Sequence, residues 1–267
     1  MVSLPEIQDS KIIQTSSCRV VFRPEFDASK YNLLNILQWF PENKNSIHND
    51  RNILKIVEFG ENVTVIKSFK IPTLFSRLIY TFVRSSKAKR SFENSLVLKN
   101  KGFNVPEPLA FLEFFNKGLL KESFYISRKL VFDCTLHEVV RGQKFLWEDI
   151  LPLVVEQAYC MHQSDIIHRD FSHGNVLVSN SGGRLYFSFV DLNRLYMGHV
   201  SFKMGLKSLV RLIDNDQTLE IIAKKYAECG QQDAGYTRMI LGKYFSRHQR
   251  QKRFKSKLKA YLGIKKK

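Results

Sequence analysis

Residues 167–178 read Ile167-His168-Arg169-Asp170-Phe171-Ser172-His173-Gly174-Asn175-Val176-Leu177-Val178, and thirteen residues further on comes Asp191-Leu192-Asn193. A turn rich in His, Asp and Asn at the end of a helix is common. Here it lies between two apolar, strand-like runs, and a second acidic turn follows. Residues 176–178 and 185–190 read as the two strands of a small hairpin around the turn 179–183. Such a hairpin can fold Asp191 back to within reach of Asn175. Phosphoryl transfer needs a carboxylate to orient and deprotonate an attacking hydroxyl, and hard oxygen ligands for the Mg²⁺ that bridges nucleotide phosphates. Asp170 suits the first role; Asn175 and Asp191 suit the second.

The spacing His168-Arg169-Asp170, Asn175, hairpin, Asp191 matches the phosphotransfer signature of the protein-kinase-like fold. That fold predicts two features upstream. One is a lysine late in a strand, to hold the α- and β-phosphates. Val63-Thr64-Val65-Ile66-Lys67 supplies it. With the two-residue strand period, Val63, Val65 and Lys67 share a face, so Val65 is expected over the adenine. Lys70 is a rival, but it stands at the strand end beside Pro72. The other feature is an acidic residue on the next helix to pair with that lysine. Glu93 is the only acidic residue between 70 and 105. The loop expected over the phosphates, Phe59-Gly60-Glu61-Asn62, offers only Gly60 where kinases often carry G-x-G-x-x-G. Lys129, Leu130 and Val131 follow a strand at 123–130 and are adenine-hinge candidates by position.

Around these motifs the chain reads as an α+β, bilobal, protein-kinase-like fold. Strands are expected at 20–22, 53–59, 63–69, 109–115 and 123–130. Helices are expected at 31–40, stopped by Pro41, and at 85–100, ended by Lys101-Gly102. Residues 42–51 read as a polar loop. A helix over 147–163 precedes the catalytic stretch, and the region beyond Lys203 reads as helical. The expected division is a β-rich N-lobe over 1–130. A mainly helical C-lobe over 131–267 carries the catalytic loop and a basic C-terminal tail.

Composition agrees with a folded protein: 267 residues, 44% hydrophobic, 25% charged. The 42 Lys and Arg against 25 Asp and Glu give a net charge of +17, which calls for an anionic partner. The four cysteines are scattered with no C-x-x-C pair, which excludes zinc-ribbon and disulfide-scaffold readings. No apolar run reaches the ~18–20 residues of a membrane-spanning helix, since 73–83 is short and holds Arg77. No secretory signal opens the sequence, so the expected location is the cytosol or a cytosolic membrane face. From Tyr236 onward there are twelve Lys/Arg and no Asp or Glu, so this segment carries +12 of the net charge. Phe254, Leu258, Tyr261 and Leu262 form one apolar face there. The segment suits an anionic membrane surface, and equally a terminal helix docked on the C-lobe. No aromatic-interleaved RNA-binding strand motif is present, and no nucleic acid is expected as partner.

His168-Arg169-Asp170, His173-Gly174-Asn175 and Val190-Asp191-Leu192-Asn193-Arg194 resemble the lipopolysaccharide kinase (Kdo/WaaP) family. Glu93, Gly102 and Val105-Pro106-Glu107-Pro108 fit the same pattern, and the resemblance covers roughly residues 50–215. It implies ATP- and Mg²⁺-dependent phosphorylation of a sugar hydroxyl, on Kdo or heptose of the lipopolysaccharide inner core. The partner implied is an anionic glycolipid met peripherally at the cytoplasmic face of the inner membrane. Carried over, Lys67 and Glu93 are the ion pair, Asp170 the catalytic base, and Asn175 and Asp191 the metal ligands. The departures are Asn193 in place of the glycine of D-F-G, and the glycine-poor loop. Three rivals remain. An atypical Ser/Thr protein kinase is disfavoured by the 76 residues after Asp191, the missing A-P-E segment and Ser172 two residues after Asp170. An aminoglycoside-type small-molecule kinase is disfavoured by the +17 charge. A non-catalytic basic binding protein would not need all five site residues.

Overall fold

The computed structural model describes residues 10–26, 32–43, 46–49, 52–69, 73–142 and 145–261. The chain divides into two compact units. The first comprises residues 1–132 together with Ser188–Arg194; the second comprises Asp133–Phe187 and 195–267.

The first unit is built on a seven-stranded antiparallel sheet. Its strands are β1 (Lys11–Gln14), β2 (Cys18–Phe22), β3 (Ser46–Asn49), β4 (Asn52–Phe59), β5 (Asn62–Phe69), β6 (Pro108–Asn116) and β7 (Leu119–Arg128). They lie in the order β1-β2-β6-β7-β5-β4-β3. Alternation along the strands gives the sheet two apolar faces. On one, Val20, Leu112, Phe124, Ile126 and Ile66 bury against Leu33, just before helix α1 (Ile36–Glu42), and against Ile36 and Phe40 within it. On the other, Val21, Phe69, Phe111 and Tyr125 bury against Ala88, Phe92 and Leu96. Those three residues recur at four-residue spacing on α3 (Lys87–Asn100), whose N-terminus Ser86 caps by accepting from the Lys89 amide. A short helix α2 (Leu74–Leu78) precedes it.

Two hairpins set the register. β4 and β5 pair from Asn52↔Phe69 to Phe59↔Asn62, leaving Gly60-Glu61 as a two-residue loop with Gly60 at φ 60. Glycine at the first central position is what a type II′ hairpin asks for. β6 and β7 are joined by Lys117-Gly118, both at positive φ. Inside the unit the buried Lys55 ammonium donates to the carbonyls of Phe40, Pro41 and Asn43 at the end of α1. A cation at a helix C-terminus meets both the orphan carbonyls and the negative end of the dipole.

The second unit begins with β8 (Cys134–Thr135) and α4 (Leu136–Val140), started by a Thr135/Glu138 capping box. α5 (Trp147–Gln163) leads into β9 (Ile166–His168), β10 (Val176–Ser181), β11 (Arg184–Phe189) and β12 (Leu195–Met197). These make a three-stranded sheet, β11-β10-β8, and a pair, β12-β9. α6 (Phe202–Ser208), α7 (Asp216–Gly230) and α8 (Ala234–Tyr261) complete it. α5 and α7 bury Leu151, Val154, Ala158, Ile222, Ala223 and Tyr226.

Two sequence expectations are corrected. The polar stretch 42–51 contains a strand, β3, paired to β4. Pro41 lies inside α1 rather than ending it. Of the two readings weighed for the tail, docking is seen over the first part of α8. α8 buries Thr237, Ile240 and Leu241, whereas Phe254 is 68% and Leu258 46% exposed. The side chain of Tyr261, and Leu262, lie outside the described residues. No helix among the described residues is long and apolar enough to cross a membrane.

Candidate active site

In the first unit, Lys67 stands on the β5 face that carries Phe69, beneath α3. Its ammonium makes a close ion pair with Asp191 Oδ1. The same oxygen accepts from Asn193 Nδ2 at 2.5 Å. Asp191 has φ 60, the left-handed region that costs a residue other than glycine about 1–2 kcal/mol. The surroundings hold it there. The next residues, Leu192–Arg194, form a 3-10 turn, and two side chains of α3 grip its carbonyls. Asn94 Nδ2 donates to Leu192 O at 2.5 Å, and Arg90 Nε donates to Asn193 O at 3.0 Å. Residues 90 and 94 are one helical turn apart, so one face of α3 positions the acidic turn. The Phe189 amide, donating to Asn104 O at 2.9 Å, fixes the approach to it.

The ion pair expected between Lys67 and Glu93 is not formed. Glu93 pairs instead with Lys89, one turn back on its own helix, at 3.8 Å. Burial pushes its carboxyl above the usual range, and the Lys89 ammonium partly offsets that. The reason is positional: Arg90 and Asn94 take the face turned to the acidic turn, and Asp191 already neutralises the lysine. Val65 lies half-buried on the Lys67 face, and Val63 further along it is exposed. Gly60 sits at the hairpin tip of the same strand. The Lys129 amide donates to Val63 O at 2.9 Å, which extends the β5–β7 pairing to the start of the hinge candidates. Leu130 is half-buried beyond it, and Val131 is 95% exposed.

In the second unit the catalytic loop closes on itself. β9 ends at His168, which is buried. Its Nδ1 accepts from the Asp170 amide at 3.2 Å, and its carbonyl accepts from the Phe171 amide at 3.0 Å. Asn175 Nδ2 donates to Asp170 O at 2.8 Å. That leaves the Asn175 amide oxygen as its acceptor for a cation. The Asp170 carboxylate, 14% exposed, receives Arg211 Nη1 on Oδ1 at 2.8 Å. His173 lies edge-on to the Trp147 ring, with Nε2 3.5 Å from Asp214.

Each unit therefore assembles its own share of the residues singled out: Lys67, Val65, Gly60, Leu130, Glu93 and Asp191 in the first, Asp170 and Asn175 in the second. Sequence reasoning missed Arg90, Asn94 and Arg211. The first two lie three residues before and one residue after Glu93, on a helix whose facing the sequence does not fix. Arg211 had no spacing signal. Asn193 was visible only as a departure from glycine.

The structure is similar to that of WaaP solved in complex with acyl carrier protein, at TM-score 0.54 and 13% identity over 85% of this chain and 99% of that one. It also matches WbdD, at TM-score 0.48 and 14% identity over 74% of this chain and 50% of that one. A third match is the PknI kinase domain of Mycobacterium tuberculosis, at 0.39 and 14% over 69% and 71%. No family model and no curated protein matches the sequence. At these identities the likeness concerns the fold, which is protein-kinase-like.

Proposed function

We propose that the chain is an ATP-dependent kinase that phosphorylates a sugar hydroxyl, on Kdo or heptose of the lipopolysaccharide inner core. The observation that carries this reading is the pairing of Lys67 with Asp191 on a kinase-like fold that also holds the Asp170–Asn175 loop. In this reading Lys67 binds the nucleotide phosphates and Asp191 and Asn175 hold Mg²⁺. The donor set fits that ion. Among the described residues no cluster of three His, Cys, Asp or Glu side chains offers a ready cage. Mg²⁺ is commonly held by one or two protein oxygens together with substrate phosphates, so no cage is required. Bound Mg²⁺ supplies charge neutralisation to the transferring phosphoryl group. Asp170 orients the acceptor hydroxyl and takes its proton, while Arg211 fixes the carboxylate. Arg90 and Asn94 position Asp191. Gly60 covers the phosphates, and Val65 and Leu130 flank the base.

The acceptor class rests on the motif resemblance and on charge. The acid-free segment from Tyr236, with Phe254 and Leu258 exposed on a basic helix, suits peripheral binding at the cytoplasmic face of an anionic membrane. The test is transfer of labelled phosphate from ATP to purified, dephosphorylated lipopolysaccharide, set against a generic protein substrate. Label is expected on the glycolipid alone. Asp170→Ala is expected to cut transfer by ~10²–10⁴-fold while nucleotide binding persists. More than about a tenth of wild-type rate in that variant removes Asp170 as the base.

A further inference from the structure

Within the second unit, a groove of about 570 Å³ opens beside the catalytic loop, between residues 210–214 and the outer half of α8. Its charged lining is Arg211, His173, Asp214, His248, Lys252 and Lys255. His248, Lys252 and Lys255 recur at four- and three-residue spacing, so one face of α8 turns its basic groups into the groove. The two nearby carboxylates each meet one group of this lining, which leaves His248, Lys252 and Lys255 as its other basic groups. Asp170 holds Arg211 at 2.8 Å, and Asp214 faces His173 at 3.5 Å. Among the described residues, no carboxylate pairs with Lys252 or Lys255. The excess of like charge is felt by His248. Burial first, then Arg211, Lys252 and Lys255, hold its imidazole below the usual range. Cations gathered around one concavity repel each other until an anion joins them.

We propose that this groove seats an oxyanion, a phosphate or carboxylate carried by the acceptor, and that Arg211 links it to the base. The inference deepens the kinase reading and rests on it for the word acceptor. The guanidinium has five N–H donors in a planar fork. It can keep Asp170 with one edge and offer the other to the anion, in the bidentate geometry that phosphate and carboxylate accept. The anion then lies within one guanidinium of the carboxylate that receives the hydroxyl proton. An acceptor is selected whose hydroxyl neighbours a negative group, as in a sugar acid or a sugar phosphate. A neutral sugar lacks that anchor.

The experiment uses the full chain with labelled histidines and follows the His248 resonance by NMR against pH. Inorganic phosphate, at ionic strength matched with chloride, is expected to raise the His248 pKa by at least half a unit. Lys252→Gln with Lys255→Gln is expected to weaken phosphate binding tenfold or more. Arg253→Gln with Lys257→Gln removes the same charge from another face of α8 and is expected to leave binding unchanged. Glucose 6-phosphate is expected to act as phosphate does, and glucose not at all. The proposal is overturned if phosphate leaves His248 unmoved, or if both double variants weaken binding equally. It is also overturned if Mg–ATP displaces the phosphate, or if only phosphatidylglycerol vesicles move the resonance. Loss of the phosphate response with Mg–ATP binding intact sinks the groove alone. Failure to bind Mg–ATP sinks the kinase reading and the acceptor role together.

Discussion

His162 stands in the last turn of α5, two residues before the chain turns towards β9 and the catalytic loop, and it is 4% exposed. Ser208 Oγ donates to Gly205 O at 2.7 Å, so it can only accept from His162 Nε2, 3.1 Å away. Nδ1 then accepts from the Tyr226 hydroxyl at 2.9 Å. This network satisfies a neutral imidazole and has no carboxylate for a charged one. Burial accordingly lowers the pKa from 6.5 to about 4. Between those two values the unfolded chain binds a proton that the folded chain refuses, so stability is whole above pH 6.5 and falls as pH drops through the window. Going from pH 7.5 to pH 5, the single-site linkage comes to about 2 kcal/mol, and below pH 4 it approaches about 3 kcal/mol. The assay is urea unfolding of wild type and His162→Gln at a series of pH values. Other titrating groups are common to both proteins and cancel in the difference. Wild type is expected to lose about 2 kcal/mol more than the variant over that range. Parallel curves would refute the argument, because they would mean that the buried imidazole takes up its proton without cost.

The same network makes Gly205 irreplaceable: a Cβ there would stand 2.1 Å from the Tyr226 hydroxyl and 2.6 Å from His162 Nδ1. Gly205→Ala is expected to cost about 1–3 kcal/mol or more in thermal or urea unfolding, as overpacked sites do. Asp191→Asn removes the carboxylate that Lys67 holds, and nucleotide affinity measured with and without Mg²⁺ should lose its metal dependence; an unchanged dependence removes Asp191 as the ligand. Binding to anionic vesicles should fall steeply with added salt and on removal of residues 250–267, since each basic residue near such a surface contributes at most about 1 kcal/mol, screened within roughly 8–10 Å. No binding at low salt would leave the outer half of α8 without a membrane role.

Much of the fold was legible because its signals are local. The strands β4 and β5 with Gly60 between them, the helix α3 and the helix α5 all follow from period and punctuation. So does the hairpin of β10 and β11, whose turn glycines 182 and 183 both take positive φ. What escaped depends on contacts far apart in sequence. β3 has no pattern of its own and exists by pairing with β4. Glu93 is the only acidic residue between 70 and 105, but charge inventory does not fix which way a helix faces. Arg90 and Asn94 occupy the useful face, and they meet partners about 100 residues away. Arg211 reaches Asp170 from a 3-10 turn that no periodicity marks.

The stretch Ser188–Arg194 belongs with the first unit although the chain has by then already traced much of the second. A ribosome therefore releases the seven-stranded sheet before it releases the segment that α3 is built to grip. Roughly 60 residues separate the two, which at ordinary synthesis rates is a delay of about 3–12 s. During that interval Arg90 and Asn94 have no carbonyls to hold, and the Lys67 ammonium has no Asp191. A fragment ending at residue 132 would be frozen in that unfinished condition. Separate expression of the two units is thus expected to give a first unit missing its acidic turn, whereas a cut in the exposed loop at Gly142 leaves every residue of the turn and its grip on one polypeptide or the other without dividing the strand that delivers it.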